Sequence, residues 1–163
     1  AADHIYSEPL MEETVVWFHL RDKNFKWKTL KDLKSYRIGA VHGYTYTPEF
    51  YDLIEKAELD VEFVRQDELN FHKLMRGRVD VVPEVVDIGF FLLHSHYPPS
   101  TVSIVTHHPE PFIKTTTHLL FPKALPESAR RAAKFNKGLQ FLRARGLFEK
   151  YLLESRRGEY MPE

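Results

Sequence analysis

The sequence predicts an α/β fold built on a doubly wound parallel sheet, and three observations predict it. Between Ile38 and Val105, short runs of β-branched and aliphatic residues alternate with stretches whose apolar residues recur at helical spacing, the pattern of strands joined by crossover helices. At Tyr36–Phe50, reading YRIGAVHGYTYTPEF, an apolar run ends at Gly43 and passes directly into a helix start, as a buried parallel strand feeding a helix does. The chain of 163 residues has the apolar and charged fractions of an ordinary globular protein, enough for a single domain with a real core.

The opening AADHIYSEPLMEE carries Ser7, Pro9 and an acidic pair and reads as a loop. Thr14 to Leu20, TVVWFHL, is a β-branched and aromatic strand. A polar, basic connector from Asp22 to Lys28 leads to Thr29, which caps a short helix with Leu30 and Leu33 inward. The first strand of the alternation is Ile38, Ala40 and Val41. Thr47 is a good N-cap, Pro48 fits the first helical position, where a missing N–H costs nothing, and Phe50, Leu53, Ile54 and Ala57 form the apolar face of a helix ending near Glu58.

Val61 to Val64 is the second strand. Asp67 caps the second helix, with Phe71, Leu74 and Met75 on its face, and Gly77 ends it. Val79 to Val82 is the third strand, Glu84 to Leu93 the third helix, and Val102 to Val105 a fourth strand reached through Pro98 and Pro99. Beyond Pro109 and Pro111 the pattern changes. Ile113, Thr115, Thr117 and Leu119 alternate as in a half-buried strand, Ala129 to Arg145 is a long helix with Ala132, Phe135, Leu139 and Leu142 on one stripe, and Gly146 stops it. Leu147 to Leu153 is a last short helix, followed by a frayed tail, ESRRGEYMPE.

Charge and composition exclude several function classes. Lys plus Arg equals Asp plus Glu, at 23 each, so no global field favours nucleic acid, and no basic stripe with interleaved aromatics reverses that. With no cysteine there is no disulfide, zinc-thiolate site or thiol nucleophile. No apolar run approaches the roughly 20 residues of a membrane span, and no signal-peptide pattern opens the chain. GxxxxGK[ST] and GxGxxG are both absent. His94 and His96, and His107 and His108, lack the partners of a metal motif and read as loop histidines. Asp80 reads as a backbone partner, and Trp17, Trp27, Phe90 and Phe91 as core or interface. No cofactor or metal is expected.

The candidate site is the turn after the first strand of the alternation. A strand, a glycine turn and a helix N-terminus aim free backbone N–H groups at one point, a place to receive a carboxylate or another anion. The hydroxyls of Tyr44, Thr45 and Tyr46 reach the same point.

Four separated pieces, in order over most of the chain, resemble the bacterial extracellular solute-binding proteins of family 3, the periplasmic receptors of amino-acid ABC transporters. They are IYSEPL, LKDLKSYRIGAVHGYTYTPEF, KLMRGRVDVVPEVVDIG and FNKGLQFLRARGLFEKYL. The resemblance implies a periplasmic binding protein type II-like fold: two α/β lobes joined by crossing strands, with a small solute in the cleft between them and a transporter permease as partner. It maps residues 22–103 to the second lobe, and residues 1–21 with 104–163 to a partial first lobe with the hinge strands and C-terminal helices. It also implies a periplasmic location.

The resemblance places Gly43, Tyr44 and Thr45 where the ligand carboxylate is received, although Tyr44 stands where the family has Thr. Where an Asp holds the ligand amino group, this chain offers Glu84, with Asp87 one turn on. The family's first strands and helices, with an Arg that clamps the carboxylate, have no counterpart here, so the chain is expected to be a fragment, a cleaved product, or completed by a copy of itself or a separate chain. The strand Thr14–Leu20 and the face of Phe135, Leu139, Leu142, Phe148 and Leu152 are expected to pack against those absent elements.

The function this implies is reversible binding of a small polar, anionic or zwitterionic solute, without chemistry. The alternatives are a dehydratase-like enzyme on the same scaffold, with Glu84 as general acid, and an extracellular sensor domain.

Overall fold

Val16, Trp17 and Phe18 follow one another on a strand, and each is at most 2% exposed. Successive strand side chains point to opposite faces, so a strand buried this way is covered on both. Trp17 joins one apolar cluster with Leu33, Ile38, Ala40, Phe50 and Val81, while Val16 and Phe18 join a second with Phe71, Leu74, Val79, Val82 and Leu93. The two clusters are the two sides of a doubly covered sheet.

In the computed structural model, which describes residues 3–156, 159 and 160, the chain divides into two compact units. The larger is Thr14–Lys114 and the smaller is Ala1–Glu13 with Thr115–Glu163; residues 22–103 lie within the larger. Strands β1 (His4–Tyr6) and β2 (Met11–Leu20) come first, then a 3-10 turn at Leu30–Ser35. Next come β3 (Arg37–Val41), α1 (Pro48–Glu55), β4 (Asp60–Val64), α2 (Asp67–Met75), β5 (Val82–Val85), α3 (Val86–His96), α4 (Pro99–Val102) and β6 (Val105–His107). β7 (Ile113–Thr117), β8 (Leu120–Pro122), α5 (Ser128–Ala144) and α6 (Leu147–Arg156) complete the order. Both β2 and β7 begin in one unit and end in the other.

In the larger unit β3 pairs with β4 in parallel, from Arg37 opposite Asp60 to Val41 opposite Val64. On its other side β3 meets Val81 in parallel, with the Gly39 N–H donating to the Val81 carbonyl at 3.0 Å. The chain continues into β5, which runs antiparallel to β2, and β2 is antiparallel to β6. The β3–α1–β4–α2–β5 stretch is thus the expected parallel, doubly wound arrangement, while β2 makes the sheet mixed.

Several expectations are corrected. β2 does not await absent elements: Val16 to His19 are buried within the larger unit. The strand expected at Val79–Val82 is β5 at Val82–Val85, which puts Glu84 on a strand opposite Val16 instead of on the following helix. Pro83 sits in the ladder opposite Trp17. Val102 closes α4, because Pro99 occupies a first helical position after Pro98 and starts a turn of helix; β6 begins at Val105. Gln66, not Asp67, is the N-cap of α2.

In the smaller unit β1, expected from sequence as part of a loop, pairs with β8 antiparallel from His4 opposite Pro122 to Tyr6 opposite Leu120. The following residues are tied to α5 and β8. The Leu119 N–H donates to Ser7 Oγ at 2.9 Å, the Glu8 N–H to Asn136 Oδ1 at 2.9 Å, and Arg143 to the carbonyls of Pro9 and Leu10 at 2.7 and 3.0 Å. Gly146, at φ +65°, separates α5 from α6. Of the tail expected to fray, residues 154–156 close α6, while 157, 158 and 161–163 lie outside the described residues.

Candidate functional site

The turn after β3 lies at the carboxyl edge of two parallel strands, so the loops leaving β3 and β4 stand side by side. Gly43 takes φ +86°, a left-handed value that glycine adopts without cost, and turns the chain away from the strand. The His42 N–H still donates to the Val64 carbonyl at 2.8 Å. Among the described residues the N–H groups of Gly43 and Thr45 have no protein acceptor, and Thr45 is exposed. Thr47 caps α1 as read from sequence, its Oγ1 accepting from the Phe50 N–H at 3.2 Å with Pro48 next in line.

The three hydroxyls of the turn do different work. Tyr46 is 6% exposed, its ring packs with Phe50 and Phe112, and its hydroxyl accepts the Val41 N–H at 3.0 Å. Burial, with Glu84 and Tyr51 adding to it against the Val41 hydrogen bond, pushes the Tyr46 phenol up to about 12. Tyr44 is 40% exposed. Its phenol is raised by partial burial first, then by the adjacent Asp67 carboxylate and by Glu84. Both tyrosines are therefore neutral hydroxyls at any physiological pH.

Glu84, 2% exposed on β5, accepts the Val85 N–H through Oε1 at 2.8 Å. It lies close enough to Tyr44 and Tyr46 to help raise both phenols. The structure thus brings Gly43, Tyr44, Thr45, Tyr46 and Glu84 to one edge of the sheet. It adds two residues that sequence reasoning missed. Tyr51, one turn into α1, donates its hydroxyl to the Tyr44 carbonyl at 2.8 Å and receives the Tyr46 N–H at 3.4 Å. Asp67 opens α2, and its Oδ1 is buried with no hydrogen-bond partner among the described residues. The sequence signal for Asp67 was available: two adjacent parallel strands must deliver their following turns to the same edge. The edge therefore gathers backbone donors, a hydroxyl and two carboxylates.

The histidines lie elsewhere. His94 and His96 are exposed in the last turn of α3. His108 Nδ1 accepts from Trp27 Nε1 at 3.1 Å and from the Glu110 N–H at 3.1 Å. Among the described residues no three His, Asp or Glu side chains converge as metal ligands would. Asp80 does bond backbone, though not locally: Oδ2 accepts the Arg37 N–H at 2.8 Å, and both carboxylate oxygens receive its guanidinium.

No protein-family model matches the chain, and no curated protein matches it. Solved structures do. The arginine-binding protein of T. maritima, as its P235GK mutant, aligns at a TM-score of 0.70 with 17% identity over 96% of this chain and 63% of its own. The second substrate-binding domain of a putative amino acid ABC transporter from Streptococcus pneumoniae aligns at 0.67, with 17% identity over 93% and 64%. The GluR0 ligand-binding core in complex with L-glutamate aligns at 0.70, with 10% identity over 93% and 63%. The chain thus spans just under two thirds of the solved chains it matches. Identities this low establish the fold, and the fold is the mixed α/β one of the periplasmic binding protein type II class.

Proposed function

We propose that this chain is the solute-binding part of a family 3 extracellular receptor, which takes a small amino-acid-like solute at the carboxyl edge of β3 and β4 and serves an ABC transporter permease in the periplasm. The observation that carries this reading is the pairing at that edge of two unspent backbone N–H groups, at Gly43 and Thr45, with the Asp67 and Glu84 carboxylates. Backbone donors suit a carboxylate, and carboxylates suit an ammonium group. A zwitterion meets both.

The ligand carboxylate accepts from the Gly43 and Thr45 N–H groups and from Thr45 Oγ1. The Tyr44 hydroxyl, beside Asp67, bridges the two halves. Nothing in this arrangement presents an activated nucleophile, so the reading is binding without turnover. The neighbours in fold support it: one is named an arginine-binding protein, and another holds L-glutamate.

Calorimetric titration of the chain with a panel of amino acids tests the proposal. At least one zwitterionic amino acid should bind. A folded protein that binds none of them, or binds N-acetylated and free amino acids equally, would refute it.

A further inference from the structure

The connector between β2 and the 3-10 turn, residues 22–28, is exposed except at Phe25 and Trp27, which are 6% and 9% exposed. Among the described residues its backbone hydrogen bonds run only to near neighbours in the chain: Lys23 to Leu20, Phe25 to Lys23 and Lys28 to Asp32. Two aromatic side chains therefore hold it to the rest of the larger unit, and both lean on histidines. Phe25 meets His19 of β2 at 5.1 Å between ring centroids, and His108, just past β6, at 5.7 Å. Trp27 meets the His108 ring at 6.2 Å and donates Nε1–H to His108 Nδ1 at 3.1 Å.

The Glu110 N–H donates to the same nitrogen at 3.1 Å. An imidazole nitrogen that accepts carries no proton, so His108 is neutral with its proton on Nε2. An imidazolium has two N–H donors and no acceptor, and an indole N–H can only donate. A proton on His108 therefore sets N–H against N–H at Trp27, whichever way the ring is turned, and leaves a buried donor unpaired. The two neighbouring histidines differ. His19 Nδ1 lies 2.9 Å from the Leu20 carbonyl and His107 Nδ1 3.0 Å from the His108 carbonyl; a carbonyl only accepts, so both bonds survive protonation.

The surrounding charges do not offset the loss. His19 is close enough to His108, His107 and Arg21 for each to oppose its protonation, so a charged His108 joins a cluster of cationic groups. On the connector Lys23, Lys26 and Lys28 are exposed, as is Asp22, and Glu110 on the loop after β6 is exposed as well. Tyr36 packs on the Phe25 ring at 5.1 Å.

We propose that His108 is a proton-sensitive latch: neutral, it clasps the connector through Trp27, and protonated, it lets Trp27 and the connector go while the sheet stays folded. Trp27 also meets Phe112 at 6.1 Å, and Phe112 stacks with Tyr46 at 6.4 Å, so release frees one edge of the aromatic stack behind Tyr46. The latch stands apart from the solute-binding reading, because its readout is Trp27 itself.

NMR of the isotope-labelled whole chain tests this by following the Trp27 indole N–H beside the His108 ring resonances. As pH falls from about 8 to about 5, the Trp27 signal should shift with the midpoint at which His108 titrates. Its exchange with solvent should quicken about tenfold beyond the intrinsic change with pH, while the backbone signals of β3 and β4 stay those of the folded chain. His108→Asn offers a carbonyl oxygen that accepts and does not titrate, so it should hold Trp27 at both ends of the range. His108→Phe offers no acceptor and should show the released signal at neutral pH; if either variant fails to fold, the paired titration of the parent decides. A Trp27 signal indifferent to the titration of His108, a His108 that stays neutral throughout the range, an acid response that persists in His108→Asn, or one that comes only with global unfolding would overturn the proposal.

Discussion

Asn70 on α2 occupies the space a side chain on Gly39 would need: its Oδ1 stands 2.6 Å, and its Cγ 3.0 Å, from where a Cβ of residue 39 would lie. Asn70 is fully buried, and neither end of its amide has a hydrogen-bond partner among the described residues. The helix that opens with Asp67 therefore sits against β3 at a depth that Gly39 permits.

Gly39→Ala should destabilise the chain by about 1–3 kcal/mol through overpacking. Asn70→Ala, which removes the obstructing amide, should recover most of that loss in the double variant, with a coupling of about 0.5–3 kcal/mol. Urea denaturation of the two single variants and the double variant measures it; strictly additive effects would mean the two residues do not compete for the same space.

Tyr46 and Thr45 should separate under substitution. Tyr46→Phe leaves the buried Val41 N–H without its acceptor and should cost about 1–3 kcal/mol of stability. Thr45 is exposed, so Thr45→Ala should leave stability within about 0.5 kcal/mol and weaken amino-acid binding by about 1 kcal/mol. Denaturation curves paired with calorimetric titration would reveal the reverse assignment if it held.

Asp80 should give the fold an acid limb. Hydrogen bonds and charge from Arg37 hold its carboxyl below the ordinary 3.8, so the folded state binds the proton less readily than the unfolded one. The stabilisation is complete above 3.8 and is lost as pH falls through the lower folded value. Asp80→Asn keeps an acceptor for the Arg37 N–H but removes the charge. Its stability should therefore fall less steeply than that of the parent in a denaturation series carried below pH 3.8.

His19 acts in a different window. Burial, helped by the neighbouring His108, His107 and Arg21 charges and opposed by the Leu20 carbonyl, lowers its pKa from 6.5. The unfolded state thus takes up the proton first, and stability drops as pH falls below 6.5 until the folded value is reached. His19→Gln should flatten stability between neutral pH and that lower value. An unchanged slope in the variant would assign the loss to other groups.

The strand–turn–helix unit from Arg37 to Glu55 was legible because its signals are local: an apolar run, a glycine with positive φ, and a Thr–Pro cap lie within a few residues of one another. The same holds for α5, whose stripe ends at Gly146. Strands β1 and β8 were not legible. Each has three residues, too few for a period, and they exist only because His4 to Tyr6 find Leu120 to Pro122 across most of the chain. The bounds of β5 were not legible either, since only the ladder with β2 shows that Pro83 is accommodated in a strand.

At the site, the sequence by itself determined where the turn falls, and that its backbone and hydroxyls gather at the end of a parallel strand. Only the tertiary structure decided which hydroxyl remains at the surface. Tyr44, Thr45 and Tyr46 are alike in local pattern, yet Tyr46 turns into the core to satisfy Val41 while Thr45 stays outside. It also decided that Glu84 is a buried strand residue, and that Asp67 stands beside Tyr44. Caps and periodicity are set by neighbours along the chain. Burial and the partner of each polar group are set by elements that meet only once the sheet has formed, and those decide which side chains remain free to hold a ligand.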